Sequence, residues 1–228
     1  MFRQKGRNKM AEKYGLVIVG GGPAGYEAAL DAAKKGIKTA LVEKRELGGT
    51  CLNRGCIPTK TLLHSAELFA EMKKSEALGI SVEGLTYNME KMQNRKKEVL
   101  DQLRSGIEML MKKNKIAVYN GTGTILNPNE VQITEQEETF IVEAENILIA
   151  TGSVPSAPPI PGAELPEVHT SDSLLDNTKN YSSLTIIGGG VISMEFASVY
   201  SALGVKVTVI EFLDRILANM DKEISQSL

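Results

Sequence analysis

Residues that mark specialised protein classes are scarce in this sequence. Only 2 of the 228 residues are cysteine, too few for a secreted disulfide scaffold, and a reducing cytoplasm is the compartment they fit. Only 2 are histidine. Those two, His64 and His169, offer no credible spacing for a zinc site with the cysteines, which needs about four ligands. Neither sign of charge dominates. Lys and Arg number 26 against 28 Asp and Glu, a formal net charge of -2, so no general attraction to nucleic acid or an anionic membrane is expected. The longest apolar runs, such as Leu16 to Val19 and Ile147 to Ala150, fall far short of the ~20 residues that span a bilayer. Arg3, Lys5, Arg7, Lys9 and Lys13 have no apolar run behind them, as a secretory signal requires, and their stretch lacks the Ser and the amphipathic pattern of a mitochondrial presequence. Residues 1–13 are read as a flexible basic tail, with Met10 as an alternative start.

What is present is ordinary globular composition, 42% hydrophobic and 24% charged. Tyr14 to Gly20 reads as a buried strand running into Gly20-Gly21-Gly22-Pro23-Ala24-Gly25. A helix with Ala24, Ala28, Ala29 and Ala32 on its apolar face follows, then a strand at Thr39 to Val42. Further on, Thr61 to Met72 and Asn88 to Lys113 are predicted helices; in the second, Met92, Val99, Leu103, Ile107 and Leu110 form the apolar stripe. Ile116 to Ile149 suggests short strands in an antiparallel meander. Half of the 8 prolines lie between Val154 and Gly162, which marks a boundary. Beyond it the opening pattern returns: a strand at Leu184 to Ile187, a turn at Gly188-Gly189-Gly190, a helix at Val191 to Leu203 and a strand at Val205 to Ile210. Asp221 to Leu228 resembles the start of another helix. The expected fold is α/β with two Rossmann-like units: a tail at 1–13, a first domain at 14–157 with the meander, and a second, incomplete one at 158–228.

The chemistry lies in the turns between these elements. In Gly20-x-Gly22-x-x-Gly25 the first glycine permits the tight turn, the second lets backbone approach a pyrophosphate, and the third allows close packing of helix on strand. The helix N-terminus offers N–H groups and positive dipole to phosphates. Glu43, 18 residues after Gly25, ends the second strand where a carboxylate can accept from ribose hydroxyls. The second copy reads Gly188-x-Gly190-x-x-Ser193 with Glu211 again 18 residues on. A small serine at the third position should be tolerated with slightly wider spacing. An acid facing the 2′ position accepts a hydroxyl and repels a phosphate, favouring NAD over NADP. Two such sites suggest a flavin exchanging hydride with a nicotinamide.

Between the units lies Cys51-Leu52-Asn53-Arg54-Gly55-Cys56. On a regular helix, residues five apart have Cα atoms roughly 8.6 Å apart, beyond the ~7 Å reach of a disulfide, so bridging these two requires a bend. Gly55 permits it, and Pro58 removes the hydrogen bond to the Arg54 carbonyl. Redox use of the pair is preferred to zinc binding or to two inert thiols, and Lys60 is a cation that could stabilise a thiolate.

Gly48-Gly49-Thr50-Cys51-Leu52-Asn53-Arg54-Gly55-Cys56-Ile57-Pro58-Thr59-Lys60 resembles the active-site signature of the FAD-dependent pyridine nucleotide disulfide oxidoreductases, and the likeness runs from Tyr14 to Leu228. The resemblance implies that Cys51 is the interchange thiol meeting substrate and Cys56 the charge-transfer thiol against the flavin, with Lys60 near the flavin and paired with Glu195. It assigns Gly20, Gly22, Pro23, Gly25, Glu43, Lys44, Gly49, Thr50, Gly123 and Ala150-Thr151-Gly152-Ser153 to FAD. Gly188, Gly190, Val191, Ile192, Ser193, Glu195 and Glu211 fall to the NAD site. Val191 stands where glutathione-reducing members place an aromatic gate, and Glu211 where NADP enzymes tend to have basic residues nearby. Both differences point to the members that oxidise dihydrolipoyl groups.

The implied reaction is dihydrolipoamide + NAD⁺ to lipoamide + NADH, on lipoyl groups of a 2-oxoacid dehydrogenase or glycine cleavage complex, by a cytoplasmic homodimer with no metal. Another disulfide or mercuric reductase, or a non-catalytic FAD-binding fragment, is the alternative. The family's His and Glu acid/base pair belongs to a C-terminal domain, and neither His64 nor His169 matches it. The sequence therefore reads as the N-terminal half of an enzyme.

Overall fold

A computed structural model describes residues 12–228. The expected tail, apart from Glu12 and Lys13, lies outside the described residues. In chain order the elements are β1 (Glu12–Val19), α1 (Pro23–Lys34), β2 (Thr39–Glu43), α2 (Gly49–Arg54), α3 (Cys56–Lys74), a 3-10 turn (Ser75–Leu78) and α4 (Met89–Lys113). There follow β3 (Ala117–Asn120), β4 (Thr122–Asn127), β5 (Glu130–Glu135), β6 (Glu138–Ile149), α5 (Ser171–Leu175), β7 (Ser183–Ile187), α6 (Val191–Ala202), β8 (Lys206–Ile210) and α7 (Lys222–Ser227). The fold is mixed α/β and contains two βαβ units. Its chain forms two compact bodies, residues 12–53 with 101–154, and residues 54–100 with 155–228. The break after Val154 falls at the start of the proline-rich stretch, but residues 54–100 group with the second body rather than with the linear 14–157 segment.

The first body is a six-stranded sheet of order β3-β2-β1-β6-β5-β4. β1 pairs in parallel with β2 and β6, and β2 with β3. The meander expected over 116–149 is thus reduced to β4-β5-β6, since β3 returns through helices and can pair in parallel with β2. β6 belongs to both patterns: it pairs antiparallel with β5 up to Glu143, and from Val142 in parallel with β1. That second pairing draws Glu12 and Lys13, opposite Val142 and Glu143, into the strand rather than the tail. Tyr14, Val17, Val19, Ala40, Val42, Val131, Ile133, Val142 and Ala144 form one core. α1 lies against β1 and β2 and buries Gly25, Ala29, Leu30 and Ala32. Ala24 is exposed and Ala28 only partly buried, so the face is rotated from the one expected.

In the second body β7 and β8 pair in parallel from Ser183↔Lys206 to Ile187↔Ile210. α6 packs on both strands and on α3. The core comprises Leu62, Ala66, Phe69, Met89, Leu174, Leu175, Phe196, Val199, Tyr200, Leu203 and Val205. α4 divides between the bodies: Met89, Lys96 and Leu100 are buried in this one, and Ile107 and Met111 in the first, where Leu103 and Leu110 of the expected stripe are exposed. Lys96 explains how a charged residue joins that face: Nζ donates to the Leu175 carbonyl at 2.6 Å and to Asp176 Oδ1 at 2.8 Å, while its stem is covered. No helix among the described residues is long and apolar enough to cross a membrane.

Candidate active site

The first glycine turn is dictated by contacts within its own body. Gly20 has φ +112°, and a Cβ there would lie 2.1 Å from the Ala150 carbonyl oxygen. A Cβ on Gly25 would lie 1.9 Å from the Gly20 oxygen. Both glycines are therefore needed for β1, α1 and the 150–151 backbone to meet. Gly22 is the N-cap of α1, with no side-chain cap, and Pro23 opens the helix. Gly49 comes close to it, since a Cβ on Gly49 would sit 2.5 Å from the Gly22 Cα. Gly21 N–H donates to Glu43 Oε2 at 2.7 Å and Arg45 N–H to Glu43 Oε1 at 2.8 Å.

The second turn repeats this arrangement. Gly188 has φ +97° and Gly190 caps α6. Gly189 N–H donates to Glu211 Oε2, and Leu213 N–H to Glu211 Oε1 at 2.8 Å. The N–H groups of Leu213 and Gly189 hold the Glu211 carboxyl below its ordinary value. Ser193 occupies the place of Gly25, and its Oγ would be 4.0 Å from a Cβ on Gly188. A Cβ on Gly190 would meet nothing within 4 Å, and its φ is -78°. Neither strain nor packing demands glycine at 190, so the open space is a cradle that fits close approach by a nucleotide phosphate. Val191 and Ile192 are exposed beside it.

The cysteine segment is broken where the sequence suggested. α2 ends at Arg54, Gly55 takes φ -142° and ψ -109°, and α3 begins at Cys56, five residues earlier than expected. Cys51 is half-buried and Cys56 exposed, and both are thiols in this structure rather than the expected disulfide. Burial, then the charges of Glu27 and Cys51, raise the Tyr26 hydroxyl above its usual value, so Cys51 and Tyr26 are electrical neighbours. One turn along α3 from Cys56, Lys60 Nζ forms an ion pair with Glu195 Oε1 of α6. Pro58 and Thr59 between them are buried, with Thr59 N–H donating to the Gly55 carbonyl at 3.1 Å.

Other expected residues are placed differently. At Gly123 the backbone runs close to the core, where a Cβ would stand 3.1 Å from Val19 Cγ1 and 3.3 Å from Val42 Cγ1. Lys44, Thr50, Thr151, Gly152 and Ser153 are exposed around the first turn. Three participants escaped the sequence reading. Gly21 and Gly189 supply the N–H groups that hold the two acids, a role visible only once 22-residue contacts close. Asn53 donates from Nδ2 to the Leu47 and Gly49 carbonyls, both at 3.0 Å; an amide inside a six-residue helix was the available signal.

A duplicated glycine-and-acid turn together with a thiol-bearing helix start defines a nucleotide-dependent oxidoreductase. Residues 14–228 match the family model described as pyridine nucleotide-disulphide oxidoreductase, and the chain belongs to that family. It is 48% identical over 221 residues to a dihydrolipoyl dehydrogenase of Acholeplasma laidlawii, covering 94% of this chain and 64% of that protein. Over 230 residues it is 46% identical to a dihydrolipoyl dehydrogenase of Bacillus subtilis, covering 96% of this chain and 48% of the relative. A solved structure, the Cu(II) complex of the HOCl-induced flavoprotein disulfide reductase RclA from Escherichia coli, superposes with a TM-score of 0.82 at 34% identity, over 94% of this chain and 46% of that one. The chain thus spans 64% and 48% of the lengths of the two curated relatives named.

Proposed function

We propose that the chain carries the nucleotide turns and the dithiol of an enzyme that oxidises dihydrolipoyl groups with NAD⁺, serving the lipoyl carriers of a 2-oxoacid dehydrogenase or glycine cleavage complex as a cytoplasmic homodimer. The observation that carries this reading is the Lys60–Glu195 pair, which ties the helix headed by Cys56 to the helix headed by Gly190. A thiol and a second nucleotide turn are thereby coupled through one ion pair. Residues 14–157 would hold FAD through Gly20, Gly22, Gly25 and the α1 N-terminus, and residues 158–228 NAD through Gly188, Gly190 and the α6 N-terminus. The anionic state of Glu211, favoured by its two N–H partners, supports NAD over NADP.

In the thiol chemistry, a substrate thiolate attacks the Cys51 sulfur, the Cys51–Cys56 bond breaks, and Cys56 leaves as thiolate. The second substrate thiolate then closes the substrate disulfide and expels Cys51, so two electrons have passed to the protein dithiol. Lys60 stands on the same helical face as Cys56, four residues on. Bound FAD would supply the two-electron acceptor between that dithiol and NAD⁺.

Steady-state assays of the full-length, FAD-loaded protein with lipoamide, glutathione disulfide and mercuric ion test the substrate. NAD-linked turnover of dihydrolipoamide, abolished in both Cys51→Ser and Cys56→Ser, is expected. Preference for either other acceptor, or FAD binding with no turnover of any, replaces this reading, and a serine variant with full activity removes the dithiol from it.

A further inference from the structure

Cys51 rides on a helix that cannot hold its own shape. α2 has six residues, and isolated helices below ~12–15 residues are marginal in water. Its entry passes through Gly48 and Gly49, at φ +100° and +61°, and its exit is cut at Gly55. Leu52 is buried and Gly48 N–H donates to the Gly21 carbonyl at 2.9 Å, and a side chain adds further ties. Asn53 turns its amide N–H₂ onto the Leu47 and Gly49 carbonyls, tying the last turn of α2 to its entry.

That amide has two orientations, and only one serves. Asn53 Oδ1 accepts from Arg104 Nε at 3.3 Å and from Arg104 Nη2 at 3.1 Å. Arg104 is itself steadied by Nη1 donating to Asp101 Oδ1 at 3.2 Å. Reversal would set the N–H₂ group against a guanidinium and the amide oxygen against three carbonyls, those of Glu46, Leu47 and Gly49, losing five hydrogen bonds to a like-polarity clash. Arg104 is part-buried, and all these groups belong to one body.

We infer that Arg104 is a positioning residue for Cys51: by fixing the orientation of the Asn53 amide it locks α2, and so sets how far the Cys51 thiol is held out of reach until α2 opens. The inference deepens the redox reading of Cys51 and rests on it for its functional meaning, but the anchor can be tested without turnover. In the FAD-loaded protein, reduced with dithiothreitol, iodoacetamide alkylation of each cysteine is followed by peptide mass spectrometry from pH 6 to 10, a range chosen around the ordinary thiol pKa of ~8.5. Cys56, exposed and outside the body containing Arg104, is the internal control.

Loss of a charge-assisted pair of hydrogen bonds should raise the population of open α2, and with it the plateau alkylation rate of Cys51, about tenfold in Arg104→Ala, with Cys56 changed less than about twofold. Asn53→Ala should give the same rise, and the double variant no more than either single one, because both act through one contact. Arg104→Lys, which keeps the charge but not the fork, should recover only part of the protection. Equal acceleration at both cysteines, additive single effects, or a shifted pH midpoint with an unchanged plateau would each overturn the inference. Failure of the redox reading would show elsewhere, as full turnover in Cys51→Ser, and would leave the alkylation result standing.

Discussion

Two glycine-to-alanine substitutions separate what the fold needs from what a nucleotide needs. In Gly25→Ala the new methyl would sit 1.9 Å from the Gly20 oxygen and 3.5 Å from Ile18 Cγ2. The first distance is impossible, so α1 must move off β1, at the upper end of overpacking costs, about 3 kcal/mol. The better helix propensity of alanine returns about 1 kcal/mol. A net loss of about 2 kcal/mol lowers the melting temperature by about 4–8 °C at this chain length. In Gly190→Ala the methyl meets nothing within 4 Å. Alanine is worse than glycine at an N-cap by about 0.5–1 kcal/mol, and the stiffer unfolded chain restores about 0.4–1 kcal/mol, leaving the melting point within about 2 °C of the parent. Under the proposed function that methyl would project into the space a dinucleotide would take, and NADH affinity should fall at least about tenfold, roughly 1.4 kcal/mol. Circular dichroism melts and NADH fluorescence titrations read the two quantities. A Gly190→Ala protein that melts as low as Gly25→Ala, or binds NADH unchanged, refutes the reasoning.

Lys96→Met should strip the Leu175 carbonyl of its buried donor and cost about 1–3 kcal/mol, whereas Asp176→Asn, at an exposed carboxylate, should cost under about 1 kcal/mol; chemical denaturation measures both. Glu211 titrates below its ordinary 4.5 in the folded chain, so its contribution is whole above that pH and is lost as pH falls through the folded value. Acid melts should therefore show a drop below about pH 4.5 that is smaller in Glu211→Gln. Lys60→Met should change stability by no more than about 1 kcal/mol, since the pair is partly exposed. In the full-length protein, dihydrolipoamide turnover should nevertheless fall at least about tenfold, because the ion pair that ties α3 to α6 is lost and the groups it positions are misplaced.

Local patterns were readable in the sequence wherever the cause is local. Gly20, Gly188 and the break at Gly55 follow from backbone sterics that a few neighbouring residues settle, and so do the ends of α1, α6 and β8. The helical faces were less legible. α4 buries a lysine on its covered face, and the burial of Lys96 depends on a carbonyl 79 residues away. β3 looked like a meander strand because its length and composition do not encode direction; the helical return before it does. The grouping of 54–100 with 155–228 was invisible for the same reason, being set by α3 packing on α6. The ion pair of Lys60 with Glu195, 135 residues apart, came from the family signature and not from spacing.

The two acids show how fold and function share a residue. Each terminal carboxylate was read as an acceptor for ribose, and each spends one oxygen on the N–H of the middle glycine of its own turn. The same glycines accept in return from the loop beyond the acid, Gly21 from Gly48 N–H at 2.9 Å and Gly189 from Leu217 N–H at 2.7 Å. A carboxylate has about four lone-pair sites, so holding the turn does not exhaust it, and a ribose hydroxyl can use what is left. Under the proposed function, removing the acid would then loosen the turn and weaken nucleotide binding together. An acid-to-amide variant that binds poorly cannot say which effect was responsible, whereas alanine at 190 touches no atom of the turn and can.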